Sequence, residues 1–143
     1  MKGALGFSPG RCLLLTMLLT LALYARDRAA RGLDPGYGSA LAAADHFLQA
    51  WQAGDAESGT ALLSSRAKEK ATPEALDQFF TADAPAKARA YAVGRGKMLK
   101  GGRYEFPVML IGGASQSGHA RRRFSSIILV NTGHNDWAVD KLP

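Results

Sequence analysis

The sequence predicts an α+β domain: two or three helices packed against a mostly antiparallel four-stranded sheet, all behind an apolar leader helix. Three observations carry this. Apolar residues recur at three- and four-residue spacing from Leu41 to Trp51. They alternate with the two-residue period of a strand from Tyr104 to Leu110. The two patterns occupy separate halves of the chain instead of taking turns, which separates α+β from an alternating parallel fold. A chain of 143 residues, 47% hydrophobic and 21% charged, has the length of one domain and a globular composition. Collagen-like and wholly disordered chains are excluded.

Cys12 to Ala25 is a run of fourteen residues without a charge, preceded by Lys2 and Arg11. That is the charged-then-apolar order of a secretory signal. It is short of the roughly 20 residues of a relaxed membrane helix. Two readings follow: cleavage after Ala22 or Ala25, or retention as a short anchor with Arg11 and Arg26 reaching the interfaces. Neither cleavage site has clean small-residue spacing, so an uncleaved or poorly cleaved leader over residues 1–25 is the favoured reading. It places the chain in the cell envelope, anchored in the inner membrane and facing outward, or in the periplasm if the leader is removed. Residues 26–38, rich in Arg, Gly and Ala, read as a flexible tether to a domain at 39–143.

Within the domain, Ser39 reads as the cap of the first helix and Gly54 as its stop, with Leu41, Ala44, Phe47, Leu48 and Trp51 as one stripe. Asp55 reads as the cap of a second helix that buries Leu62 and Leu63, with Glu57 in its first turn. Thr72-Pro73-Glu74 starts a third, with Leu76, Phe79 and Phe80 on its apolar face. Strands follow at Ala88–Leu99, Arg103–Ile111 and His119–Val130, and a last one holds Trp137 and Val139. Pro107 points to an edge position or a bulge, and residues 112–118 to a loop. Trp137 and Val139 are expected to close over Phe47 and Trp51.

The net charge of +6 is unevenly spread. Residues 33–83 hold three basic residues and eight acids, whereas residues 84–143 hold ten basic residues and three acids. In the basic half, Arg95, Lys97, Arg121 and Arg123 are the candidate anion-facing residues, provided they share a face. Arg122 must point the other way on its strand. Such a field suits an anionic lipid surface or an acidic envelope protein. The bland role of the same charge is a solvated edge that resists strand pairing. Nucleic acid is excluded as a partner: the leader routes the domain outward, and aromatic residues do not interleave with the arginines.

Phe47-Leu48-x-Ala-Trp51-x-x-Gly54-Asp55, the leucines near 62, Phe106-Pro107-Val108 and the ending Trp137-x-Val139-Asp140-x-Leu142-Pro143 together resemble the nuclear-transport-factor-2-like superfamily, in particular its small exported bacterial members. The resemblance covers residues 39–143. It implies a curved, cystatin-like sheet wrapped round the helices as a cone, often with a cavity. Such a cavity would be lined by Phe47, Trp51, Phe80, Tyr91, Tyr104, Phe106, Phe124 and Trp137. Members include isomerases, dehydratases, adaptors and non-catalytic domains, so the fold alone decides no activity.

The residues themselves give little chemistry. Cavity enzymes of this kind need a buried acid with a raised pKa beside a tyrosine or histidine. Asp45 and His46 are helix neighbours that point apart, Asp55 is occupied as a cap, and Asp140 alternates with Val139. Tyr91 and Tyr104 are ordinary sheet tyrosines, and His46, His119 and His134 are scattered. One cysteine allows no disulfide framework, and no spacing fits a metal site or a phosphate loop. No catalytic residue, metal or cofactor is assigned. The sequence therefore points to a non-catalytic binding or accessory domain, with a small-molecule isomerase or hydratase as the alternative.

Overall fold

The computed structural model describes residues 34–81, 88–114 and 120–143. The leader at 1–25, the tether from 26 to 33 and His119 lie outside the described residues. Among those described, four helices precede five strands: α1 (Pro35–Ala53), α2 (Ala56–Ala61), α3 (Ser65–Lys70), α4 (Pro73–Thr81), β1 (Ala90–Val93), β2 (Lys97–Leu99), β3 (Arg103–Ala114), β4 (Ala120–Gly133) and β5 (Asp136–Lys141). The strands form one antiparallel sheet in the order β1-β3-β4-β5, with β2 also pairing with β3. The fold is α+β, and the sheet is open.

The first helix begins earlier than its composition implies. Pro35 occupies the first helical position, where a missing N–H interrupts no bond. Residues 35–38 are therefore helix and not tether, and Ser39 is not the cap: its hydroxyl donates back to the Pro35 carbonyl at 3.2 Å. The expected stripe is buried, with Ala44, Phe47, Leu48 and Trp51 all in the core.

The second helix is two. Asp55 caps α2 as expected, accepting from Ser58 N at 3.0 Å. The chain then leaves helical geometry at Leu62–Ser64, where its backbone bonds the free side of β5. Val139 N donates to Leu62 O at 2.9 Å, and Ser64 N donates to Val139 O at 2.8 Å. This covers an otherwise bare sheet edge. Ser64 then caps α3, accepting from Ala67 N at 3.1 Å. Its hydroxyl donates to Asp140 Oδ1 at 2.9 Å, and Arg66 pairs with the same carboxylate, its Nε at 2.9 Å from Oδ1 and its Nη2 on Oδ2. The third expected helix, α4, stands where Pro73 places it, with Thr72 accepting from Ala75 N at 3.2 Å.

In the sheet, the expected first strand is broken into β1 and β2 by Gly94-Arg95-Gly96. The glycines are sterically required: a Cβ on Gly94 would lie 2.8 Å from Pro107 Cγ, and one on Gly96 would lie 2.4 Å from the Phe106 ring. Pro107 is not on an edge strand, because β3 pairs on both sides. Its carbonyl accepts from Gly94 N at 2.7 Å, and in a strand the N and O of one residue point the same way. The missing N–H thus faces the break between β1 and β2, where the ladder is already interrupted. Strand β3 also runs on through Gly112 to Ala114, where a loop is expected from the glycines. His134 and Asn135, at φ 48° and 68°, join β4 to β5 in a two-residue turn with the positive φ values of type I′.

Register assigns the faces. Tyr104 pairs with Leu129, Phe106 with Ile127, and Leu129 with Val139, and all five are buried against the helices. The opposite face carries Met109 paired with Phe124, and Lys97 paired with Glu105. Trp137 does not reach Trp51. It packs on Tyr104 with ring centroids 5.3 Å apart, beside the Tyr37 contact that Tyr104 makes at 5.7 Å. The two tryptophans therefore serve different parts of the core.

Candidate functional site

The row of the sheet that ends β1 decides where a site can form. Ala90 pairs with Ile111, so Arg89 stands beside Gly112, and Gly112 pairs with Arg121. In the next row Tyr91 pairs with Leu110, which pairs with Arg123. Arg89, Arg121 and Arg123 thus share the helix-facing side, with side-chain-free Gly112 between the first two. Arg89 and Arg121 start about 10 Å apart, two strand spacings. Trp51 of α1 comes down over the gap: a Cβ on Gly112 would lie 3.7 Å from Arg89 Cγ and 3.9 Å from Trp51 Cζ2 and Cη2.

The result is a cavity of about 110 Å³ lined by Trp51, Leu110, Gly112, Arg121 and Arg123. Trp51 and Leu110 are its buried wall, and the exposed Arg121 and Arg123 form its mouth. The Arg123 guanidinium also lies 5.8 Å from the centre of the Phe79 ring.

Arg89 is held differently. It is 4% exposed and donates from Nη1 to Trp51 O at 2.7 Å and to Phe80 O, the last turns of α1 and α4. A cation at two helix C-termini is well placed for their dipoles. Its guanidinium carbon is 5.5 Å from the Trp51 ring centre. Arg89 Nε and Trp51 Nε1 are buried and, among the described residues, have no hydrogen-bond partner. Each lies two covalent bonds from an atom bordering the Gly112 gap. Among the described residues, no acid pairs with Arg89, Arg121 or Arg123.

The sequence-expected residues divide accordingly. Trp51, Arg121 and Arg123 line the cavity. Phe47, Phe80, Tyr104 and Phe106 are fully packed core. Trp137 is partly buried at Tyr104. Phe124 is a correction: it stands 77% exposed on the opposite face, away from the cavity beneath Trp51. The four expected anion-facing residues do not share a face either. Lys97 lies opposite Glu105 on the outer side, ion-paired with it at 2.9 Å, and Arg95 sits exposed in the β1–β2 break. From the sequence Arg89 reads only as one of the basic residues of the second half and Gly112 as a strand or turn glycine; the register brings them together.

Tyr91 donates to Asp45 Oδ1 at 2.6 Å, and Gln49 donates to Oδ2 at 2.6 Å. Burial, and then Asp45, push the Tyr91 phenol up to about 12, so near neutral pH it keeps its proton. Asp140 is buried beside Arg66 and Ser64. Burial raises its pKa, but the hydrogen bonds and charge of its partners outweigh that and hold it below the ordinary carboxylate value. Its work is to tie α3 to β5. No family model, curated protein or solved structure matches this chain.

Proposed function

We propose that this chain is an exported, membrane-tethered domain that binds a small ligand without transforming it, held to the inner membrane through residues 12–25. The observation that carries the reading is the cavity beneath Trp51. It offers an indole, a leucine and two arginines, groups that hold a ligand, and among the described residues that line it there is no carboxylate to move a proton. A cone-shaped sheet of the nuclear-transport-factor-2-like type is part of the same proposal, supported by the helices-first order and the single helix-covered face of the sheet.

The isomerase or hydratase alternative needs an acid beside a tyrosine or histidine in the pocket. Asp45 and Tyr91 are such a pair, but both carboxylate oxygens already accept hydrogen bonds and the phenol holds its proton. Native mass spectrometry of the full chain, purified in mild detergent from the cells that make it, tests the reading. A retained small molecule released chemically unchanged after long incubation supports it. Conversion of that molecule to a product makes the chain an enzyme.

A further inference from the structure

We infer that the cavity between Trp51 and the β3–β4 arginines takes a small carboxylate with a short apolar body, the carboxylate toward Arg121 and Arg123 and the body against Trp51 and Leu110. This rests on the binding-domain reading and names its ligand class. The electrostatic argument is the imbalance: Arg89 sits behind the wall, Arg121 and Arg123 stand at the mouth, and no acid neutralises them among the described residues. The described partners of Arg89 are carbonyls, which do not cancel a guanidinium's charge, and water cannot screen it well from a group lodged a few ångströms away.

Geometry narrows the class. Guanidinium forks match planar carboxylates with two parallel bonds. A bare phosphate would also answer the charge, but it has no apolar part to lie against Trp51 and Leu110, which line the cavity with the arginines. A cavity of about 110 Å³ has room for about four water-sized groups at about 30 Å³ each. That is the size of a two- to four-carbon acid, or the head of a longer one that continues through the mouth.

The test uses the full chain in detergent with Trp137→Phe, which leaves Trp51 as the only indole in the sequence. Trp51 emission is titrated with acetate, butyrate, butyramide and inorganic phosphate at constant ionic strength, and melting of the unsubstituted chain is followed with the same compounds. The expected result is saturable binding of butyrate, weaker binding of acetate, and none of butyramide. Arg121→Gln with Arg123→Gln should weaken butyrate by about tenfold or more, the equivalent of one charged hydrogen bond. Gly112→Ala is a second probe, because its Cβ fits the gap at ordinary contact distances and fills it. It should keep the melting temperature and weaken butyrate. Butyramide binding as well as butyrate would overturn the carboxylate assignment while leaving a binding domain. Phosphate binding more tightly than butyrate would overturn the apolar body. Failure of every compound to bind, with the fold intact by circular dichroism, would overturn this inference; the native-mass experiment judges the binding reading separately.

Discussion

Arg89 donates to the backbone carbonyl of Trp51 at 2.7 Å while its guanidinium carbon lies 5.5 Å from the centre of the same residue's ring. One side chain therefore fixes both the end of α1 and the position of the indole over the cavity. Arg89→Met keeps much of the apolar stem and removes the bonds to Trp51 and Phe80. Urea denaturation should show a loss of about 2–3 kcal/mol, the scale of charge-assisted hydrogen bonds. A loss near zero would mean that the two helix ends are held by something other than Arg89.

The Arg66–Asp140 pair gives a pH dependence. The folded pKa of Asp140 lies below the ordinary 3.8, so its stabilisation is complete above the unfolded value and lost as pH falls through the folded one. Asp140→Asn should cost about 2 kcal/mol at neutral pH, less than a fully buried pair because the Arg66 side chain is 54% exposed. It should also flatten the acid limb of the stability curve. Melting curves from pH 7 down to the acid transition, for both proteins, check the sign.

Tyr91 predicts the opposite limb. Its pKa is raised from 10.0 to about 12, so between those values the unfolded phenol ionises while the folded one does not, and stability falls. Tyr91→Phe should lose less stability across that interval than the parent. Equal alkaline loss in both proteins would deny the Asp45 contact.

Gly59 is buried where α2 meets α4, and a Cβ there would lie 2.1 Å from the Phe80 ring. Gly59→Ala gains roughly 1 kcal/mol of helix propensity but overpacks the core, at about 1–3 kcal/mol. A net loss of about 1 kcal/mol in denaturant is expected. Stabilisation would show that Phe80 moves freely.

The leader is tested by extraction. The full chain should pellet with membranes and resist carbonate, whereas a chain starting at Leu33 should not pellet. Release of the full chain by carbonate would contradict the anchor.

Periodicity made most of the elements legible: Leu41 to Trp51 and Tyr104 to Leu110 announce a helix and a strand that the structure contains. Ser39 was misleading, because Pro35 starts the helix before Ser39 can cap it, whereas Pro107 did mark an interruption: it lies opposite the break between β1 and β2. The site was less legible. Arg89 lies far from Gly112 and Arg121 in sequence, and the three meet only through the pairing of three strands. Phe124 and Leu110 look alike in composition, yet register sends them to opposite faces. Face depends on pairing, and pairing is a property of the whole sheet.

The most direct measurement of the central claim is the indole N–H resonance of Trp51, followed by ¹H–¹⁵N correlation spectroscopy of the Trp137→Phe chain in detergent during butyrate addition. A saturable shift of that resonance is predicted, absent with butyramide and reduced when Arg121 and Arg123 are both glutamine. A Trp51 resonance that stays fixed while butyrate shifts signals elsewhere would contradict the account, because the ligand would then lie outside the cavity.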